Sequence, residues 1–152
     1  MIVIGIVGLI SSGKTTVCET ISQNGFKVIN LDILSHQVYR SGSSAYKEII
    51  NTWGKDVLDD QKQISRASLA EKVFVKGDNE ISKLEKIVWP HLISMLEEKL
   101  IKHHNEEAIF VEGAKILNSD FVKYCDKIWC VISSIENKVV PLDFLFIALN
   151  LK

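Results

Sequence analysis

Ile2-Val3-Ile4-Gly5-Ile6-Val7-Gly8-Leu9-Ile10-Ser11-Ser12-Gly13-Lys14-Thr15 is the stretch on which the reading of this chain turns. Its first half is an unbroken apolar run closed by glycine, the pattern of a strand buried on both faces. Its second half, Gly8 to Thr15, fits G-x-x-x-x-G-K-[ST]. A helix follows, because Lys14 to Gln23 can carry Val17 and Ile21 on one face before Asn24-Gly25, a pair that tolerates a left-handed C-cap. A glycine-rich turn without chemistry is the competing reading. The strand before and the helix after favour a loop that points backbone N–H groups at a polyphosphate, with Lys14 reaching the outer phosphates and the Thr15 hydroxyl available to Mg²⁺. The nucleotide-binding set is therefore Gly8, Leu9, Ile10, Ser11, Ser12, Gly13, Lys14, Thr15 and Thr16.

Outward from this stretch, short apolar runs alternate with helical periods, as they do in a parallel sheet with crossover helices. Lys27 to Asp32 reads as a second strand, Ala108 to Glu112 as a third and Lys127 to Ile132 as a fourth. Between Ile33 and Lys102 the period is helical, with a helix start at Ser65-Arg66-Ala67-Ser68-Leu69 and apolar helical spacing from Ile81 to Val88 before Pro90. The expected class is α/β, a parallel sheet flanked by helices. One domain is expected over 1–152, with a core of about 1–32 and 108–152 and a helical insertion of about 33–107. Leu142 to Leu149, after Pro141, is apolar but of undecided type.

At 152 residues, 47% hydrophobic and 24% charged, the chain has the length and composition of one globular domain. Lys+Arg 18 against Asp+Glu 19 leaves a net charge of -1, which argues against a nucleic-acid binder that works by neutralising many phosphates. Phosphate binding must be local. Cys18, Cys125 and Cys130 form neither a C-x-x-C pair nor a zinc pattern, and read as inert thiols. The start lacks a basic signal region, and no apolar run reaches the ~18 to 20 residues of a membrane span. A soluble cytoplasmic protein without a membrane partner is expected.

Two acids stand where such a sheet does its chemistry. Strand C-termini of a parallel sheet open on the same edge as the phosphate loop. Asp32, after Val28-Ile29-Asn30-Leu31, can there accept the proton of an attacking hydroxyl, or it can simply cap a helix. Glu112, closing Ala108-Ile109-Phe110-Val111-Glu112, can hold Mg²⁺ or its water shell, or be an exposed strand end without a role. Trp53, Trp89 and Trp129 read as packing rather than adenine stacking. His103-His104 and the charge runs Glu97-Glu98-Lys99 and Asn105-Glu106-Glu107 read as solvated surface.

With these residues in place, the chain resembles the dephospho-CoA kinase family over roughly its first 135 residues. Val28 to Asp32 is similar to the family's V-I-D-A-D, with Asp32 at the second aspartate. Ser41-Gly42-Ser43-Ser44-Ala45 resembles P-G-S-P-A. Trp53-Gly54 with Val57-Leu58 stands at F-G and V-L, Ile64 to Leu69 followed by Val73-Phe74 at L-D-R-x-x-L and V-F, and Leu84-Glu85 with Trp89-Pro90 at L-E and H-P. The resemblance implies a P-loop kinase-like fold whose insertion holds the acceptor. It implies ATP-dependent, Mg²⁺-dependent phosphorylation of the 3'-hydroxyl of dephospho-CoA, the last step of coenzyme A synthesis. Asp32 would be the catalytic base and an acceptor contact, Lys14 would stabilise the transferring phosphoryl, Arg66 would bind acceptor phosphates, and Thr15 and Glu112 would hold the metal.

Departures are equally specific. Leu9 and Ser11 replace glycines of the family's loop, Asn30 replaces the first aspartate, and Trp89 replaces a histidine. Gly113-Ala114-Lys115 follows the third strand in place of I-P-L. Arg40 and Arg66 are the only arginines, so Asn137 to Lys152 lacks the arginines of the family's lid, and the C-terminus is expected to be shortened. The apolar tail is a candidate contact for a homo-oligomer. A nucleotide- or CoA-binding remnant without turnover, and a different small-molecule kinase, are alternative readings of the same residues.

Overall fold

The computed structural model describes residues 1–75, 77–132 and the backbone of 145–150. The chain divides into two compact units, Met1–Asp32 with Lys99–Lys152, and Ile33–Glu98.

The first unit is built on a sheet of β1 (Ile2–Gly8), β2 (Lys27–Asn30), β3 (Ala108–Glu112), β4 (Lys127–Ile132) and β5 (Leu145–Asn150), in the order β2-β3-β1-β4-β5. The first four strands are parallel, as the alternation of runs and helices predicts. The fifth pairs antiparallel with β4, from Lys127 opposite Asn150 to Ile132 opposite Leu145. This pairing engages the backbone of the apolar C-terminal segment within its own chain, and nothing in the structure supports the expected contact between copies. Residues 133–144 before it, where the stretch expected to lack the lid arginines begins, lie outside the described residues.

Ile4 and Ile6 of β1 pack with Phe110 and Val131 against Val17 and Cys18 of α1 (Lys14–Gln23). The alternate residues Val3, Val7, Ile109 and Val111 are buried as well. Burial on both faces explains why β1 and β3 are continuous apolar runs rather than alternating ones. Each such side chain contributes on the order of 1.5–3 kcal/mol when fully buried. Trp129 and Phe110 meet edge to face, ring centroids 5.3 Å apart, which makes this tryptophan a packing residue. Helix α1 ends as its sequence suggests. Gly25 takes φ 88° while its N–H donates to Ser22 O and that of Phe26 to Ile21 O, the paired bonds of a Schellman C-cap.

The second unit is helical. It takes most of α2 (Leu31–Val38), with α3 (Ser44–Trp53), α4 (Arg66–Phe74) and the greater part of α5 (Asp78–Lys102). Ser43 and Ser65 cap α3 and α4 through side-chain bonds from the N–H groups of Tyr46 and Ser68. Trp53 is buried and donates its indole N–H to Glu80 at 2.8 Å, tying α3 to α5.

Two boundaries differ from the sequence reading. Helix α5 runs through Pro90 for 25 residues. An interior proline costs roughly 3 kcal/mol, but Val88, Leu92, Leu96 and Leu100 continue one ridge at i, i+4 spacing and all four are buried, which outweighs the lost hydrogen bond. Strand β2 stops at Asn30, two residues short of Asp32, and α2 begins at Leu31. His103 and His104 follow α5 in a turn.

Candidate active site

The sheet order puts β1 between β3 and β4, so the loop that leaves Gly8 rises from the middle of the sheet's C-terminal edge. A β-carbon on Gly8 would lie 2.5 Å from the Val131 carbonyl oxygen and 2.7 Å from Ser12 Oγ. Only glycine fits between the neighbouring strand and the loop. Gly13, at φ 90°, caps α1 without a side-chain hydrogen bond, and the first turn of α1 holds no acid. Its backbone amides and its partial positive charge are therefore left to an anion.

Lys14 Nζ donates to the carbonyl oxygens of Gly8 and Leu9, both at 2.8 Å, so the ammonium lies across the loop. An anion bound in the loop would compete with these two carbonyls for it. Ser12 is 4% exposed and its Oγ has no hydrogen-bond partner; it is the one such buried side-chain oxygen among the described residues. A buried hydroxyl left unbonded costs about 1–3 kcal/mol, and a ligand oxygen in the loop would relieve it. Leu9 and Ile10 stand exposed at the crest of the loop.

Ser11, one of the two departures from the family's glycines, takes φ 64°. Left-handed backbone costs an L-residue about 1–2 kcal/mol, part of which glycine gives back through its more flexible unfolded chain, about 0.4–1 kcal/mol. Ser11→Gly is expected to raise the melting temperature by about 2–4 °C per kcal/mol gained, a gain of up to roughly 1 kcal/mol for a chain of this size. Thermal unfolding followed by circular dichroism checks it.

The acids gather at the same edge. Glu112 closes β3 and is 9% exposed, a buried carboxyl rather than a solvated strand end. Asp32 lies in the first turn of α2 with its side chain exposed. It is therefore neither a strand terminus nor buried, yet its charge is felt at Glu112. Burial, and then Asp32, push the Glu112 carboxyl above its usual range, while the Asn30 hydrogen bond and the Lys14 ammonium pull it back. Lys14, Asp32 and Glu112 are thus brought into one electrostatic neighbourhood. Arg66 lies in the helical unit as the first residue of α4, exposed.

Asn30 gains a role that its sequence position did not reveal. It is the register partner of Glu112 across β2 and β3, and its Nδ2 donates to Glu112 Oε2. Neighbours in register share a face, so an acid at position 30 would put a third carboxyl beside Glu112 and Asp32. The amide instead satisfies the buried carboxyl. Cys18 and Cys125 are inert, burial pushing their thiols up to about 12 and about 11.

A phosphate-binding loop at the centre of a parallel sheet, with a lysine across it and two acids on the same edge, defines a P-loop phosphotransferase of the α/β class. The family model described as dephospho-CoA kinase matches residues 2–142. Curated dephospho-CoA kinases from Aquifex aeolicus and Fusobacterium nucleatum are 34% and 33% identical, over 88% and 94% of this chain and 67% and 74% of their own lengths. The solved structure of TT1252 from Thermus thermophilus superposes with a TM-score of 0.76 at 25% identity, over 89% of this chain and 67% of its own. A Campylobacter jejuni dephospho-CoA kinase shares the fold with a TM-score of 0.67. The chain belongs to the dephospho-CoA kinase family, whose members use ATP to phosphorylate dephospho-CoA in the last step of coenzyme A synthesis. Among the described residues no helix is long and apolar enough to cross a membrane.

Proposed function

We propose that this chain is itself a cytoplasmic dephospho-CoA kinase that holds ATP with Mg²⁺ at Gly8 to Thr16 and transfers the γ-phosphoryl to the 3'-hydroxyl of the acceptor ribose. The observation that carries the reading is the shared edge: an uncapped helix N-terminus, the Lys14 ammonium and an exposed Asp32 carboxylate whose charge reaches buried Glu112.

Phosphoryl transfer asks the protein for positioning and for charge stabilisation more than for covalent chemistry. The loop amides and Lys14 oppose charge that builds on the transferring group. Asp32, in the first turn of α2 and open to solvent, orients the attacking hydroxyl and takes its proton. Arg66 supplies a forked cation for acceptor phosphates.

The donors suit Mg²⁺, since the Thr15 hydroxyl and the Glu112 carboxylate are hard oxygens. No group of three or more His, Cys, Asp or Glu among the described residues could form a protein cage, and Mg²⁺ is ordinarily held by one or two protein oxygens together with substrate phosphates. When bound it neutralises charge on the β- and γ-phosphates.

ADP release measured across a panel of alcohols tests the assignment. Turnover with dephospho-CoA and not with nucleosides or pantetheine is expected. Preferential turnover of another alcohol would point to a different small-molecule kinase.

A further inference from the structure

Glu112 is flanked in register on both sides. Ile6 of β1 stands beside it on one side and Asn30 of β2 on the other, so one row crosses three strands near the edge where the phosphate loop leaves β1. The N–H of Gly113 donates to Ile6 O, which ties the residue after the acid to β1 two positions before Gly8. The register is pinned by burial. Val28 lies opposite Phe110 and Ile29 opposite Val111, and Ile29, Phe110 and Val111 are all buried, so a slip by one residue would turn apolar side chains out of the core. The backbone therefore sets Asn30 and Glu112 side by side on strands about 4.7–4.9 Å apart before any side-chain bond forms.

Asn30 Nδ2 then donates to Glu112 Oε2. An amide nitrogen only donates and a carboxylate only accepts, so the bond has one direction. It takes up Oε2 and does not engage Oε1. Glu112 is 9% exposed and Asn30 is half-buried, so bulk water is a poor substitute for the amide. The donor is also uncharged. A lysine or arginine in its place would anchor the carboxylate and cancel its charge, whereas an amide anchors it and leaves the charge for a cation. Carboxylates that meet metal ions are ordinarily held by such an outer hydrogen bond.

We propose that Asn30 is a positioning residue for the divalent cation: by bonding Glu112 Oε2 with an uncharged donor, it holds the carboxylate in the orientation that meets the cation carried by the nucleotide. The inference rests on the reading of Glu112 as a metal contact. It gives the amide at position 30, where the resemblance has an aspartate, a share in cation affinity and none in the affinity for cation-free nucleotide.

Calorimetric titration with ATP, once in saturating Mg²⁺ and once in EDTA, reads the contribution of the cation on the protein as the ratio of the two affinities. Asn30→Ala removes the donor. Asn30→Leu removes it at nearly the same side-chain size and carries the test if Asn30→Ala fails to fold. Each is expected to lower the ratio about ten-fold, the low end of the roughly 10- to 100-fold that losing a metal ligand's outer partner costs, because nucleotide phosphates supply other ligands. ATP affinity in EDTA should stay at the parent value. Glu112→Gln should lower the ratio at least as far, and adding Asn30→Ala to it should lower it no further, since Asn30 acts through Glu112. A lowered ratio in Glu112→Gln beside a parent ratio in the Asn30 variants would overturn the positioning role alone. Parent ratios in every variant would overturn the reading of Glu112 and this inference with it. Equal losses with and without Mg²⁺ in the Asn30 variants would mark a general structural defect, and a further loss in the double variant would show Asn30 acting independently of Glu112; either overturns the proposal.

Discussion

Replacing Asp32 with Asn lowers kcat by about 10²- to 10⁴-fold, the contribution of a positioned general base, while stability stays near the parent value. The side chain is exposed in the first turn of α2, where losing its charge forfeits a dipole interaction of about 0.3–1 kcal/mol but also relieves the repulsion it exerts on Glu112, so the two changes oppose. An exposed isosteric change of this kind moves stability by about 0.5 kcal/mol or less. The variant keeps the hydrogen-bonding shape and loses only the ability to take a proton and carry charge. The loss should therefore appear in kcat with little change in acceptor KM. A second consequence follows from the electrostatics. Asp32 is one of the groups that push the Glu112 carboxyl up, so in Asp32→Asn that carboxyl moves back toward its usual range. Single-turnover kinetics with saturating ATP check the first effect, and a kcat within a few-fold of the parent would remove Asp32 from the chemistry.

Lys14→Ala is the second large effect. Removal of one preorganised donor to developing charge costs about 10²- to 10³-fold in kcat, and here ATP affinity falls as well because the same ammonium faces the phosphates in the ground state. The loop itself also changes, since the bonds from Nζ to the Gly8 and Leu9 carbonyls disappear. Lys14→Arg should not rescue the activity, because a planar guanidinium cannot replace a compact ammonium beneath a tight loop. Titration calorimetry with ATP, run beside steady-state kinetics, separates the two losses. ATP binding equal to the parent in Lys14→Ala would show that the loop holds nucleotide without its lysine.

The parts of this molecule that were legible in the sequence are those governed by neighbours along the chain. The run Ile2 to Gly8, the turn at Gly8 to Gly13 and the Asn24-Gly25 stop each carry a local reason, so β1, the phosphate loop and α1 stand where periodicity and capping put them. The errors have tertiary causes. Leu31 looked like one more strand residue, but it is buried beside Gly113, where an added β-carbon would meet it at 3.0 Å. Helix α2 starts there, and Asp32 moves from a strand end to a helix turn. Pro90 looked like a stop because propensity is local, whereas the ridge from Val88 to Leu100 is selected by burial. Leu142 to Leu149 had no assignable type because a short apolar run is ambiguous until a pairing, here that of Leu145–Asn150 with β4, is known.

The site shows the same division. Lys14 and the loop follow from spacing, and Asp32 and Glu112 from the ends of two runs. The Asn30 bond to Glu112 spans 82 positions and depends on strand register. It leaves no periodic trace. Asn30 was visible only as a departure from a resemblance, and the structure converts it into the hydrogen-bond donor of a buried acid.

The most direct measurement is product analysis by mass spectrometry after incubation with ATP, Mg²⁺ and dephospho-CoA. Coenzyme A carrying the new 3'-phosphate and ADP should form one for one, only with both substrates present, and at a rate that collapses in Asp32→Asn. ATP and dephospho-CoA that both bind yet yield no coenzyme A at high enzyme concentration would contradict the assignment and leave a nucleotide-binding protein without turnover.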